Sequence, residues 1–467
     1  MKKLLLLLII PLLSFGQPNY TININNNPSE GNIFLKTIGQ GGNKPVMILD
    51  KNGDILFSEN FGMKGWAWSV NKNNHLTYFD RSSMGWFVMD SLYNEIDSVY
   101  AQNGYVADNH DFLALPNGNY ILFCYDVQPF PMDGIVSGGD PSAMVEGLVI
   151  QELDSNHNVV FEWESWNHFS VTDNEYLDLT SDLIQFIHAN AIDIDYDDNI
   201  LISSRNIDEI TKIDRNTGEV IWRFGGSQNE FEFLNDYPFT HQHCIKSLGN
   251  NRYLLFDNGN FSSQYTGQPN VSRAVEYQLD IEQMTATKVW EFIHPDLLFS
   301  PSISSVQRLE NGNTLINFGN LSLLDRGAVI TEVNQNNEIV FELEIEPPGD
   351  NGSSNVYCAN KFNWFFDDTI AGCNDASACN YNPGISIINN DTCIFPGDPC
   401  QLENNSGFYN DLCECIEDTS FINEYNNHKK LIKVVDLLGR DVNKKNKDAL
   451  LLYIYNDGSV EKKCVIE

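Results

Sequence analysis

From about residue 30 to residue 345, short apolar runs alternate with turn signals, and almost no helical period is present. The apolar runs are rich in Val, Ile, Leu, Phe, Tyr and Trp, whereas the turns contain Asn-Gly, Asp-Gly or Asn-Asn. This pattern predicts short strands joined by hairpin turns. The clearest hairpins span residues 46–60, 110–126, 191–206, 243–259 and 306–320. We therefore predict an all-β fold over this part of the chain.

The strand pairs recur in a fixed order, with an inner hairpin, a loop and an outer hairpin that ends in Trp-x-Phe or a similar sequence. Second strand pairs of this kind occupy residues 209–226, 273–294 and 328–345. We count about six units, which begin near residues 44, 67, 110, 188, 241 and 303. Antiparallel repeats of this size predict a six-bladed β-propeller. A pair of β-sandwiches is the alternative, and it accounts for the hairpins but not for their repeated order.

One unit is followed by a long insertion, from Ser165 to Phe186. A connection of this length without a strand pattern of its own is typical of functional loops. We predict that it forms a lid or a rim loop.

The first residues of the chain have the pattern of a secretory signal peptide, assigned to residues 1–16. Lys2 and Lys3 precede an apolar run that is too short for a membrane span. Small residues follow, so cleavage before Gln17 is expected. The protein is therefore predicted to be exported through the periplasm and to be secreted or located at the cell surface, in association with the outer membrane.

The ten cysteines are unevenly distributed. Cys124 and Cys244 stand alone and are predicted to be buried free thiols. Seven lie between Cys358 and Cys415, which predicts a disulfide-stapled module of undetermined pairing. A zinc site is the less favoured alternative, because disulfides persist outside the cytoplasm.

Composition shifts after residue 352, which predicts a domain organisation of signal peptide (1–16), propeller (17–352), Cys-rich linker module (353–418) and small β domain (421–467). The stretch GCNDASACNYNP in the linker resembles a Cys-rich segment of bacterial surface proteins. The last 37 residues, 431–467, resemble the C-terminal sorting domain of type IX secretion. That resemblance implies the type IX secretion machinery as a partner, although the usual upstream strand with an Asn-Pro pair is absent.

The chain carries 64 acidic and 28 Lys or Arg residues, for a formal net charge of −36. Nucleic acids and anionic membranes are themselves polyanions, so this balance argues against both as partners. It also makes a cationic residue inside a pocket more noticeable.

Polar residues at the starts of the inner hairpins are the candidates for chemistry, because in a propeller those starts face the central channel. Four of the nine histidines fall at such positions. The set consists of His110, His188 with Asn190, His241, His243, and Arg205 of a Ser-Ser-Arg sequence. In an extended strand, His241 and His243 would share one face.

Two chemistries fit this set. Three histidines could hold zinc or copper, but a neighbouring guanidinium disfavours a bound cation. The alternative is transfer of an anionic group, with a neutral imidazole as nucleophile and with Arg and Asn holding the anion's oxygens. No Gly-rich phosphate cradle is present, so a nucleotide donor is not expected. We expect neither a metal nor a cofactor.

The stretches HDFLALPNGNYIL, HANAIDIDYDDNILISSRN, THQHCIKSLGNNRYLLFDNGN and SRAVEYQLD resemble the bacterial aryl-sulfate sulfotransferases over residues 40–345. The family is a six-bladed propeller that moves a sulfuryl group from a phenolic sulfate ester to a phenol without a nucleotide. Its histidine nucleophile follows Gln in a Gln-His motif, which corresponds here to Gln242-His243. The other matching positions are His110, His188, Asn190, Arg205 and Arg273.

The resemblance implies a ping-pong mechanism through a sulfohistidine at His243. Arg205, His188 and Asn190 would then neutralise the sulfuryl oxygens, and His110 would act as acid or base for the phenol oxygen. We assign Arg273, Gln242 and His241 to substrate binding, with the role of His241 open. Only about 25 residues precede the first unit, so the large N-terminal β domain of enterobacterial members is expected to be absent or reduced.

A function of another class stays open beside this one. The chain could be a non-catalytic cell-surface propeller for adhesion or ligand binding. The sequence leaves the oligomeric state, the natural donor and the natural acceptor undetermined.

Overall fold

The computed structural model describes residues 19–39, 44–174, 176–347 and 354–364, together with shorter stretches between 371 and 464. The chain divides into two units, of which the first contains residues up to Gly372 and Asn382–Ile388. The predicted signal peptide lies outside the described residues. No helix in the described part is both long and apolar enough to cross a membrane.

The first unit contains six antiparallel sheets of four main strands each. We number them I to VI. Inner strand first, sheet I contains Asn355–Phe362, Asn32–Ile38, Val46–Leu49 and Ile55–Glu59; sheet II contains Trp66–Val70, Leu76–Asp80, Gly85–Met89 and Glu95–Val99; sheet III contains Val106–Ala114, Tyr120–Pro129, Met144–Leu153 and Val159–Glu164. Sheet IV contains Ala189–Ile194, Ile200–Ser204, Glu209–Ile213 and Val220–Gly225; sheet V contains His243–Ser247, Arg252–Asp257, Arg273–Asp280 and Thr285–Ile293; sheet VI contains Ser305–Arg308, Thr314–Phe318, Val329–Val333 and Ile339–Ile345.

Three sheets carry an additional outer strand. Leu183–Gln185 adds to sheet III and Glu232–Phe233 to sheet V, both in parallel, whereas Tyr20–Asn25 adds antiparallel to sheet VI. In the residues that the structure describes, helical structure is limited to one α-helical turn, Ser262–Thr266, and the 3₁₀ turns Met132–Gly134, Ser165–Asn167, Val171–Asp173, Arg205–Ile207 and Ser322–Leu324. The described chain is thus nearly all-β, as predicted.

The inner strands of the six sheets contact one another in order, and the inner strand of sheet VI contacts that of sheet I. The sheets therefore form a closed ring. Each of six apolar clusters is shared by two consecutive sheets of this ring. Strands buried on both faces read as continuous apolar runs rather than as alternating ones. Ile200–Ser204 is such a strand, buried at every position.

The ring is closed by residues from both ends of the unit, because Asn355–Phe362 pairs antiparallel with Asn32–Ile38. Sequence analysis ended the propeller domain at residue 352 and assigned Cys358 to the Cys-rich module. It also read residues 46–60 as an inner hairpin, whereas these residues form the outer strands of sheet I. The difference arises because the inner strand of this sheet comes from more than 300 residues later in the chain.

The insertion from Ser165 to Phe186 packs against sheets III and IV. Ile184 and Phe186 are buried in the cluster between those sheets. Asp173 forms an ion pair with Arg223 at 3.0 Å. The predicted role as a lid stays a prediction.

The second unit contains residues Cys373–Tyr381 and Asn389–Glu467. Disulfides join Cys379 to Cys413 and Cys400 to Cys415. One three-stranded sheet contains Pro399–Gln401, Ser406–Tyr409 and Cys415–Glu417, and another contains Leu431–Val435, Leu450–Tyr455 and Val460–Cys464. A short parallel pair, Ala371–Gly372 with Ile387–Ile388, belongs to the first unit.

Candidate active site

His243 is the first residue of the inner strand of sheet V, and its ring is held by three hydrogen bonds. Its Nδ1 lies 2.7 Å from Oδ1 of Asn258 and 3.1 Å from the main-chain oxygen of His241. Both partners are acceptors, because the amide nitrogen of Asn258 is already used to donate to the carbonyls of Ser300 and Ile303. Nδ1 therefore carries the proton.

The other ring nitrogen, Nε2, accepts a hydrogen bond from the main-chain N–H of Ile303 at 3.2 Å. Nε2 therefore carries the lone pair. Burial, followed by the positive charge of Arg205, places the pKa of His243 well below its usual value, although the bond to Asn258 opposes this. His243 is thus a neutral imidazole, and its three hydrogen bonds place the proton on Nδ1 and the lone pair on Nε2.

His110 has the opposite electrostatic setting. Its Nδ1 lies 2.6 Å from a carboxylate oxygen of Asp108. Burial alone lowers the pKa of His110, but the charge and hydrogen bond of Asp108 outweigh it and raise the pKa. His110 is therefore the histidine of the site that retains a proton most readily.

His188 stands edge-to-face against His110, with ring centroids 4.7 Å apart. Burial and the charges of His110 and Arg205 lower the pKa of His188 to about 3. A buried neutral imidazole thus lies directly against one that holds a proton. His188 also has a positive φ of 51°, a conformation that costs energy for a residue with a Cβ.

Arg205 follows the second strand of sheet IV, and its main-chain N–H donates to the carbonyl of His188 at 3.0 Å. Its guanidinium donates to Oδ1 of Asn206 at 2.9 Å and to the carbonyl of Pro301 at 3.3 Å. Within the described part of the chain it forms no ion pair. Arg205 therefore presents an uncompensated positive charge, the property that an anion site requires.

Asn190 belongs to the inner strand of sheet IV and is buried. Its amide nitrogen donates to the carbonyl of Gln242 at 2.7 Å, which leaves one N–H of that group for another acceptor. The main-chain carbonyl of Asn190 accepts a hydrogen bond from the Tyr357 hydroxyl at 3.2 Å. Oδ1 of Asn190 has no partner among the described residues.

A central cavity of about 430 Å³ is lined by His110, Asn190, His243 and Tyr357, whereas His188 and Arg205 are not among its lining residues. The structure thus brings together side chains from sheets I, III, IV and V. Arg205 and His188 are close enough to lower the pKa of His243 by their charge. The five residues assigned to catalysis, His110, His188, Asn190, Arg205 and His243, form one constellation.

His241 does not share a face with His243, contrary to the period-two expectation. The strand begins only at His243, and His241 has a positive φ of 57°, which breaks the extended backbone. Its Nδ1 lies 2.9 Å from a carboxylate oxygen of Asp208, and its ring packs against Phe261.

The two other residues assigned to substrate binding lie inside the sheets. Gln242 is fully buried, and its amide nitrogen donates to the carbonyls of Ser204 and Glu209 in sheet IV. Arg273 is also fully buried and forms ion pairs with Asp257 and Asp236, both at 2.9 Å. These contacts join strands and hold both side chains inside the sheets, so we do not carry the two residues into the proposed reaction as substrate ligands.

Three residues that hold the site were missed by sequence analysis: Asp108, Asn258 and Tyr357. Asn258 could have been identified from the sequence, because it lies in the Phe-Asp-Asn-Gly motif that carried the family resemblance. Asp108 lies two residues before His110, ahead of the HDFLALPNGNYIL stretch that carried the resemblance. No pattern in the sequence pointed to Tyr357, because it lies 167 residues from Asn190 and beyond the predicted domain boundary.

Among the residues that the structure describes, no group of three or more His, Cys, Asp or Glu side chains is arranged to hold a metal ion. The imidazoles of the constellation instead bond to Asp108, to Asn258 and to main-chain groups.

Comparison with solved structures gives matches of low sequence identity. A protein of unknown function from Bacteroides caccae is 14% identical, covers 72% of this chain and 99% of its own, and has a TM-score of 0.44. The β-propeller domain of Cps50 from Myceliophteria thermophila is 12% identical, with coverages of 71% and 92% and a TM-score of 0.34. Virginiamycin B lyase from Staphylococcus aureus is 10% identical, with coverages of 69% and 88% and a TM-score of 0.33.

A search of the curated proteins found no match. The model of one protein family, described as arylsulfotransferase (ASST), matches residues 22–353. The match spans most of the chain, including five of the six inner strands and every residue of the constellation. The chain therefore belongs to the arylsulfotransferase family.

Proposed function

We propose that this protein transfers a sulfuryl group from a phenolic sulfate ester to a phenol acceptor through a sulfohistidine at His243. The observation that carries the proposal is the state of that residue, which is neutral and has its lone pair on Nε2 beside the cavity. Nucleophilic catalysis requires a neutral imidazole with its electron pair on a defined nitrogen, and attack by Nε2 replaces its hydrogen bond from the N–H of Ile303. Family membership supports sulfuryl transfer as the reaction class.

In the first half-reaction, Nε2 of His243 attacks the sulfur of the donor. The S–N bond forms as the bond between sulfur and the aryl oxygen breaks, and the leaving phenolate takes a proton from His110. Arg205 and the remaining N–H of Asn190 bind the sulfuryl oxygens, where negative charge is concentrated. Neutral His188 adds no charge beside His110 and can serve as a hydrogen-bond donor.

The second half-reaction returns the enzyme to its starting state. Neutral His110 takes the proton of the acceptor phenol, and the phenol oxygen attacks sulfur. The S–N bond then breaks and its electron pair returns to Nε2. Protons and electrons balance over the two halves without a cofactor.

Wild type and His243→Ala, incubated with 4-nitrophenyl sulfate and a phenol acceptor, test the proposal. We expect steady nitrophenolate release from wild type, and a stoichiometric burst with a mass gain of one SO₃ group when acceptor is omitted. His243→Ala should show neither. Nitrophenolate release that survives the substitution would refute the assignment of the nucleophile.

We further infer that the six sheets are the blades of a six-bladed propeller, because their inner strands form a closed ring. We also propose export through residues 1–16 and sorting of the protein to the cell surface through the tail. Mass spectrometry of the protein from the culture medium and from washed cells tests this proposal. A mature protein that begins before Gln17 would contradict it.

A further inference from the structure

The central cavity continues beyond His243 along the inner strands, and a lysine lines it on the same strand. His243 pairs with Phe256 and Lys246 pairs with Leu254, so a bulge places both side chains on one face. Two steps of the partner strand separate them by about 7 Å along the strand. Both residues line the cavity of about 430 Å³.

Lys246 differs from the other Lys and Arg residues that line this cavity. Lys72 forms an ion pair with Asp193 at 2.6 Å, and Arg308 forms one with Glu276 at 2.7 Å. In the described part of the chain, Lys246 has neither an ion pair nor a hydrogen bond.

The two carboxylates nearest to Lys246 are engaged elsewhere. Asp111 accepts main-chain N–H groups from Phe112 and Ile192, both at 2.9 Å. Asp193 accepts the N–H of Ser247 at 2.9 Å and pairs with Lys72. Burial also raises the pKa of Asp111, so its negative charge is held less firmly than that of an ordinary carboxylate.

The ammonium group keeps its charge at this position. Burial lowers the pKa of Lys246, but the acidic groups that face it (Cys244, Asp111, Asp193 and Cys358) raise it overall. Phe112, Ala191 and Tyr357 line the same cavity as His243 and Lys246 and offer apolar surface suited to an aryl ring. Lys246 has no ion-pair partner among the described residues, so an anionic substrate group beside its ammonium group can form that pair.

We propose that Lys246 binds a second anionic group of the substrate, so that the preferred donors are phenolic sulfates with a carboxylate para to the sulfate ester. This inference rests on the proposed function, because it needs the sulfate to lie at His243. A para substituent points directly away from the ester oxygen, and in the proposed binding mode the donor lies in the cavity with this substituent at Lys246. The aryl ring then spans the apolar part of the cavity.

Two donors that differ only in that charge test the inference: 4-carboxyphenyl sulfate and its methyl ester. For wild type we expect kcat/KM to be at least tenfold higher for the carboxylate than for the ester. Lys246→Met should bring this ratio to about one, and Lys246→Arg should restore part of it. Arg308→Met is the matched control and should keep the wild-type ratio, because Arg308 also lines the cavity but pairs with Glu276, which is not among the acidic groups that face Lys246.

Equal turnover of the two donors by wild type would overturn the inference and leave the proposed function intact, as would a ratio that survives Lys246→Met. If wild type turns over neither donor, the proposed function fails. The binding of 4-hydroxybenzoate and that of methyl 4-hydroxybenzoate, both measured by calorimetry, then test the inference separately from the reaction, since binding needs no turnover. Preferential binding that Lys246→Met abolishes supports it, and equal binding refutes it.

Discussion

His243 and His110 are both buried, yet their pKa values shift in opposite directions. The difference comes from their partners, because His110 bonds to the carboxylate of Asp108 whereas His243 bonds to the uncharged amide of Asn258. A carboxylate stabilises the imidazolium, and an amide oxygen compensates little of the desolvation. One histidine is thereby prepared as the nucleophile and the other as the acid.

Asp108→Asn should separate these roles. The substitution removes the charge that raises the pKa of His110, so burial should then lower that pKa and His110 should lose its proton at lower pH. The alkaline limb of kcat/KM should therefore move to lower pH. For donors with a poor leaving phenolate, we expect a loss of about 100-fold near neutral pH, the lower end of the range typical of general acid catalysis.

The measurement is a pH–rate profile with phenyl sulfate and with 4-nitrophenyl sulfate. The nitrophenolate leaves with little need for a proton, so its rate serves as the internal control and should change much less. Equal losses for the two donors would mean that Asp108 has only a structural role. Asn at position 108 keeps the size of the side chain.

Much of the constellation could be predicted at this scale, because His110, His188, Asn190 and Arg205 lie at hairpin positions that a repeat pattern aligns. The orientation of His241 could not be predicted, since it depends on a positive φ and on Asp208, 33 residues away. Similarly, periodicity could not relate His243 to Lys246, because the bulge between them changes the spacing of the strand.

At the level of elements, the hairpin of sheet V that carries His243 and Asn258 is held by a buried charge cluster. Asp257 accepts the main-chain N–H groups of Thr240 and Gly259, both at 2.9 Å. Its second oxygen receives Nε of Arg273 at 2.9 Å. Gly259 is required here because a Cβ would meet the carbonyl oxygen of Val271 at 2.1 Å. Arg273 thus supports the site through Asp257 rather than by touching substrate.

Arg273→Met should therefore lower the stability of the protein and leave substrate binding nearly unchanged. The substitution leaves Asp257 and Asp236 without their common cation, which costs about 3–5 kcal/mol for a broken buried pair. We expect the free energy of unfolding in urea to fall by this amount, whereas KM of the variant measured well below its melting temperature should stay near the wild-type value.

Arg252→Met is the matched control on the same sheet. Arg252 pairs with Glu276, but its side chain is 49% exposed, so its loss should cost less than about 1 kcal/mol. If Arg273→Met raised KM severalfold without a loss of stability, the original substrate-binding assignment would be correct and the structural role wrong.

At the level of the whole molecule, the ring of sheets depends on pairing between distant parts of the chain. The inner strand of sheet I, Asn355–Phe362, pairs with Asn32–Ile38 and contacts the inner strands of sheets II and VI. Sequence analysis could predict repeated strand units because each hairpin is local. It placed the boundary at residue 352, before the strand Asn355–Phe362, because that strand resembles no complete unit and is followed by the Cys-rich composition.

A chain that ends at residue 372 should therefore fold cooperatively and be active, whereas a chain that ends at residue 352 should do neither. The shorter chain loses the inner strand of sheet I and with it Tyr357, which donates to Asn190 in the site. It also exposes the apolar clusters on both sides of that sheet, which contain Ile33, Phe34 and Val356 among their buried residues.

Thermal unfolding followed by circular dichroism, together with nitrophenolate release, measures the effect. We expect the longer chain to melt cooperatively and to be active, and the shorter chain to lack a cooperative transition and activity. Comparable melting and activity of the two chains would show that the ring closes without Asn355–Phe362.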